Sequence, residues 1–180
     1  MDKQHIRISR FLSYILRHHP DAVGLVLDAN GWVDIDALLA ACAAHGRTLE
    51  REELDLVVGQ NDKRRFAISD DGRRIRASQG HSVSVDLGYE PCVPPEVLYH
   101  GTAARFLEEI RREGLRRGTR LHVHLSADEE TARRVGARHG VPVVLKVRAG
   151  EMSRAGVSFF ISANGVWLTE RVGEGYIDEL

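Results

Sequence analysis

Apolar residues near the start of the chain recur with the period of a helix. Ile8, Phe11, Leu12, Ile15 and Leu16 share one face, which predicts an amphipathic helix over 6–18, stopped by Pro20. Ala29-Asn30-Gly31 reads as a turn, and Trp32 and Val33 as a short strand. Asp34 stands where its carboxylate can cap a helix over 35–44, closed by Gly46. Thr48 is placed to cap a third helix over 49–58, ended by Gly59. The period then falls to two. Residues 65–69 and 73–77 flank Asp70-Asp71-Gly72, a hairpin signature that sets Arg74 and Arg76 on one face and Ile75 on the other. Three helices followed by a basic hairpin is the order of a winged-helix unit, which commonly binds nucleic acid.

Residues 86–96 hold Gly88, Pro91, Pro94 and Pro95 and read as a linker, so two lobes are expected, 1–90 and 91–180. The second begins with a strand over 97–100, a helix over 103–113 and a short strand over 123–126. Ser126 and Glu129 form a capping box for a helix over 129–139. An apolar strand over 141–147 follows, then a hairpin of 159–162 and 166–169 around Ala163-Asn164-Gly165, and Tyr176 and Ile177 suggest an edge strand. The expected fold class is α+β, with a winged-helix-like first lobe and a mixed, strand-rich second one.

Composition narrows the function more than it names it. The chain is 43% hydrophobic and 28% charged, ordinary for a globular protein able to bury a core. A formal net charge of −1 excludes a global basic field, so any phosphate binding must be local. One local excess exists: Lys63, Arg64, Arg65, Arg73, Arg74 and Arg76 against Asp70 and Asp71. Lysine is scarce (Lys3, Lys63 and Lys146 among 25 cations), a ratio that a GC-rich genome explains as readily as function does. Cys42 and Cys92 have no CxxC spacing and suggest no disulfide framework. The polar opening and the absence of a long apolar run point to a cytoplasmic protein without a membrane segment.

Candidate chemistry clusters at a few positions. Arg17 and His18 close the first helix, where cations complement the helix dipole but could equally grip a phosphate. Arg76 is either a solvated wing arginine or a ligand contact. In Gln79-Gly80-His81 the glycine permits close backbone approach, and the histidine either orients a phosphate or caps a turn. His100-Gly101-Thr102 ends a predicted strand before a helix, where amides and a hydroxyl can hold a pyrophosphate or ribose. His122 and His124 would share one side of a strand, but no third ligand is evident and no metal site is expected. Arg138 ends a predicted helix, where the dipole reading applies again. No P-loop, GxGxxG, GxSxG or HExxH is present. The residues alone lead to a winged-helix-like lobe joined to a nucleotide lobe, with phosphate as the common ligand.

Six strings in order, LSYILRHHP, RASQGHS, LYHGT, HVHLSAD, VGARHG and NGVWLT, resemble the NAD-dependent RNA 2′-phosphotransferases over most of the chain. The resemblance implies removal of an internal RNA 2′-phosphate by transfer to NAD+. An ADP-ribosylated 2′-phospho-RNA intermediate then gives 2′-OH RNA, nicotinamide and ADP-ribose 1″,2″-cyclic phosphate. It implies Arg17, His18, Arg76 and Arg138 as catalytic residues, drawn from both lobes, and His100, Gly101, Thr102, His124 and Ser126 as NAD+ contacts. The second lobe resembles the ADP-ribosyltransferase fold. There His100 matches the ribose-binding histidine, and His124 stands where many relatives carry tyrosine. Gly165-Val166 occupies the place of the polymerases' glutamate. A phosphate acceptor is already an anion and needs no base, so a carboxylate there would only repel it. The implied partners are a tRNA-like RNA bearing an internal 2′-phosphate and NAD+, consumed as co-substrate, with no metal, no membrane and a monomeric state. Two rivals remain: ADP-ribosyl capping of terminal phosphates on RNA or DNA, and an NAD-sensing winged-helix regulator. The absence of a long basic recognition helix counts against the second rival.

Overall fold

The computed structural model describes residues 3–60 and 64–180. The chain divides into two compact units, Met1–Gly88 and Tyr89–Leu180, each a mixed α+β body with small antiparallel sheets and its own buried core. Among the described residues no helix is long and apolar enough to cross a membrane.

In the first unit the leading helix, α1 (Lys3–Arg17), starts ahead of its first apolar position and buries Leu12, Ile15 and Leu16 completely. Pro20 cannot continue it and opens a 3-10 turn, Pro20–Val23. The short strand β1 (Val33–Asp34) runs into α2 (Ile35–Ala44), where the Asp34 carboxylate accepts the Ala37 N–H at 3.0 Å. Thr48 does not cap the third helix. That helix, α3 (Arg51–Gly59), starts after Glu50, which makes no side-chain cap. Leu49 is drawn into the core, which keeps the chain extended upstream of the helix. Strands β2 (Phe66–Ile68) and β3 (Arg74–Ala77) form the expected hairpin, and β1 pairs the other edge of β3. Ile75 is fully buried, while Arg74 and Arg76 both stack over Trp32, at 5.5 and 4.5 Å from the ring centre. Lys63, part of the basic excess, lies outside the described residues.

The second unit is built on β4 (Leu98–Ala103) and β7 (Pro142–Val147), which pair along six residues, with β11 (Ile177–Glu179) on the far edge of β7. The helix expected from residue 103 starts later: Ala103 is still strand, Ala104–Phe106 is a 3-10 turn, and α4 spans Leu107–Glu113. Strand β5 (Leu115–Arg116) pairs β10 (Arg171–Val172), and α6 (Ala149–Arg154) follows β7; these short elements carry no sequence period. Strands β6 (Val123–Leu125), β9 (Trp167–Thr169) and β8 (Phe159–Ile161) form a third sheet in that order. His122 precedes β6, so it is not His124's partner on a strand face. It lies instead against the rings of Tyr89 and Phe160.

Two further expectations are corrected around α5 (Glu129–Gly136). Ser126 is not its cap, because the Ser126 backbone is used in a two-way bridge with Tyr99, at 2.7 and 2.9 Å. Asp128 takes over and accepts the Thr131 N–H at 2.7 Å. The helix also stops at Gly136, so Arg138 stands beyond it in a tightened turn, its N–H on the Val135 carbonyl at 3.2 Å.

Candidate active site

The site residues fall into two groups, one in each unit. In the first, Arg17 is the last residue of α1 and His18 the first of the following turn, its N–H on the Tyr14 carbonyl at 3.1 Å. The loop after β3 is stapled to this helix end. Ser82 N–H donates to the Arg17 carbonyl at 2.9 Å, and His18 Nδ1 lies 2.9 Å from Ser82 Oγ. Gly80, at φ +85°, permits the turn that brings the loop back. Between these fixed points sits His81, 1% exposed. Its imidazole is pushed down to about 4, first by burial and then by the charges of Arg17, His18 and Arg76. The ring thus lies in the field of Arg17, His18 and Arg76.

Both guanidiniums reach backbone carbonyls. Arg17 Nη2 donates to the Arg65 carbonyl at 3.5 Å, and Arg76 Nη1 to the Asn30 carbonyl at 3.3 Å, long distances for charged donors. Guanidiniums in one neighbourhood suit an anion with several oxygens.

His81 also sets a pH dependence. Unfolded, it titrates near 6.5; folded, near 4, so the unfolded chain binds the proton first as acid is added. Stability present above about pH 6.5 is therefore lost as pH falls toward 4, by about 3 kcal/mol for this one group. Denaturant unfolding across that range is expected to show a shallower decline for His81→Asn than for the parent chain. Parallel curves would remove His81 as the cause.

In the second unit His100 lies on β4, and its Nδ1 is 3.0 Å from the His124 carbonyl. A carbonyl only accepts, so Nδ1 carries the proton and Nε2 keeps a lone pair. Burial, then nearby Arg120 and His139, holds His100 below its ordinary pKa and keeps the ring neutral, although the carbonyl bond acts the other way. His124 Nδ1 lies 3.0 Å from Arg120 Nη1, which makes that nitrogen the acceptor. Thr102 is 6% exposed, and Ser126 meets β4 beside His100 through the Tyr99 bridge. The sequence reading had placed residues 100–102 at a strand end; they lie within β4, paired to Leu145, Val144 and Val143. Gly101 faces α5, where an added Cβ would fall 1.7 Å from the Ala132 carbonyl oxygen.

The structure brings Arg17, His18 and Arg76 together, and separately His100, Gly101, Thr102, His124 and Ser126. Arg138 belongs to the second unit and is exposed. Sequence reasoning passed over Arg120 and Trp32 and left His81 undecided. Arg120 sits in an arginine-rich loop where nothing local marks it out, and Trp32 reads as an ordinary strand aromatic. Among the described residues no three of His, Cys, Asp and Glu stand together as metal ligands.

Residues 3–171 match the family model described as RNA 2′-phosphotransferase, Tpt1 / KptA family. The chain belongs to this family. It is 58% identical over 169 residues to a probable RNA 2′-phosphotransferase of Agrobacterium fabrum, covering 94% of this chain and 91% of that protein. A Streptomyces coelicolor relative described in the same words is 59% identical over 172 residues, covering 96% and 93%. Its Pseudomonas aeruginosa counterpart is 58% identical over 172 residues, covering 95% and 94%. The activity is RNA 2′-phosphate transfer, and membership in the family implies NAD+ as co-substrate.

Proposed function

We propose that Arg17, His18, Arg76 and Arg138 hold the 2′-phosphate of an RNA strand, and that NAD+ binds through His100, Gly101, Thr102, His124 and Ser126 and is consumed. The observation that carries this reading is the tie between the loop that follows Arg76 and the Arg17–His18 end of α1, through the Ser82 N–H on the Arg17 carbonyl and Ser82 Oγ 2.9 Å from His18 Nδ1, a local gathering of basic residues in a chain of net charge −1. A phosphomonoester carries one to two negative charges near neutral pH, and guanidiniums match its oxygens two at a time. The neutral, Nδ1-protonated His100 supports the NAD+ assignment, since its Nε2 can accept a ribose hydroxyl.

The reaction proceeds in two displacements. A 2′-phosphate oxygen attacks C1″ of the nicotinamide ribose; the C–N bond breaks and nicotinamide leaves with the electron pair. The 2″-hydroxyl then attacks phosphorus, its proton passing to water. The bond from phosphorus to the RNA 2′-oxygen breaks, and that oxygen takes up a proton supplied by His18. The products are 2′-OH RNA and ADP-ribose 1″,2″-cyclic phosphate. The arginines stabilise charge developing on the non-bridging oxygens. We further assign the first unit as a winged-helix RNA lobe and the second as an ADP-ribosyltransferase-like NAD+ lobe. The element order α1-β1-α2-α3-β2-β3 with sheet order β1-β3-β2 supports the first assignment.

Incubation of the pure protein with NAD+ and an oligoribonucleotide bearing one internal 2′-phosphate is expected to release nicotinamide and a cyclic-phosphate product, with loss of one phosphate mass from the RNA. A stable ADP-ribosyl RNA as the end product would replace transfer by capping.

A further inference from the structure

The proposed clamp residues share a buried neighbour that the two displacements do not use. We propose that His81 is a further phosphate-binding residue, donating a ring N–H to a non-bridging oxygen of the RNA 2′-phosphate. The inference rests on the reading that Arg17 and Arg76 hold that phosphate.

Three observations carry it. First, neither Nδ1 nor Nε2 of His81 has a hydrogen-bond partner, although both atoms are buried. An imidazole always has one N–H or lone pair to satisfy at each nitrogen, and leaving such a group unmet in the interior is costly. A histidine kept only for packing would be matched with a partner or replaced by an apolar residue. Second, its place is fixed rather than incidental. The Ser82 and Val83 amides both donate to the Arg17 carbonyl, at 2.9 and 3.4 Å, tying the His81 loop to the end of α1. On the Nε2 side stands Gly31, which offers no side chain to compete for the ring. Third, a cation stands on that same side: Arg76 Nη1 donates to the carbonyl of Asn30, the residue before Gly31, at 3.3 Å. A phosphate held by the Arg76 guanidinium would stand on this side of the ring. His81 is then a donor that adds no charge beside two arginines, so it extends the clamp without adding to its self-repulsion.

The test is binding without NAD+, so that nothing turns over. Two fluorescent oligoribonucleotides of one sequence are used, with and without a single internal 2′-phosphate, against the parent chain, His81→Phe, His81→Asn and Arg17→Ala. His81→Phe is expected to lose about 10- to 100-fold of the preference for the phosphorylated strand while binding the unmodified strand as before. His81→Asn, which keeps a donor, recovers part of the preference. In the parent chain the His81 ring-nitrogen resonances shift with the phosphorylated strand and not with the other, a readout that stands whether or not the phenylalanine variant folds. Equal loss on both strands, or an unmoved ring resonance, overturns the assignment of His81. If Arg17→Ala keeps the full preference, the clamp reading itself fails and takes this inference with it. If Arg17→Ala loses the preference and His81→Phe keeps it, only the role of His81 falls.

Discussion

Arg17→Ala and Arg76→Ala are each expected to slow 2′-phosphate removal about 10²- to 10⁴-fold while the first unit stays folded. The contacts seen for each arginine are modest. Arg17 at the end of α1 contributes a dipole interaction worth about 0.3–1 kcal/mol, and its bond to the Arg65 carbonyl is long at 3.5 Å. Arg76 stacks on Trp32, worth about 0.5–1 kcal/mol at a partly exposed site, and the indole keeps Arg74 as a second partner. Against that, in the proposed clamp each substitution removes a bidentate donor to oxygens whose charge changes during phosphoryl transfer. Lysine at either position restores the charge and not the fork, so Arg→Lys recovers only part of the rate. Arg138→Ala is expected to fall in the same range. Single-turnover rates with saturating NAD+, paired with thermal unfolding of each variant, separate loss of chemistry from loss of fold. A fully active Arg76→Ala would exclude that residue from the clamp.

The parts of the molecule that were legible in advance are those in which a local rule and the final structure agree. Asp34 caps α2 because an extended aspartate before an apolar run has no better use for its carboxylate. The β2–β3 hairpin follows from alternation around Asp70-Asp71-Gly72, with Gly72 at φ +70°. Thr48 and Ser126 misled for one reason: each is a good cap by composition, but tertiary demands used the backbone first. Burial of Leu49 delayed α3, and the Tyr99–Ser126 bridge moved the α5 cap to Asp128. The candidate site was legible as a set of names and not as an arrangement. The Arg17–His18 pair is far in sequence from Arg76, and what joins them is the loop through His81, a residue whose significance lies in two unmatched nitrogens that no spacing rule detects. Arg120 entered the second group in the same way, through its contact with His124.

Gly101→Ala is expected to destabilise the second unit by about 3 kcal/mol or more. The sequence suggested that the amides around Gly101 hold a pyrophosphate or ribose. In the structure it is α5 that approaches: an added Cβ would lie 1.7 Å from the Ala132 oxygen, 2.5 Å from its carbon and 2.9 Å from the Gly136 nitrogen. All three are backbone atoms and cannot rotate aside. The contact is reciprocal, since a Cβ on Gly136 would lie 2.5 Å from the Thr102 oxygen. Helix and strand therefore meet glycine to glycine, and a single methyl group forces α5 off β4, the strand that holds His100 and Thr102. Gly118→Ala serves as the control within the same unit. At φ +62° with nothing within 4 Å, it carries only the left-handed backbone penalty of about 1 kcal/mol. Urea unfolding of the two variants measures the difference, and NAD+ titration of each separates the two explanations for the glycine. If Gly101 were there for the ligand, alanine would cost NAD+ affinity and leave the unfolding midpoint where it was. Close packing of α5 on β4 requires that both fall together.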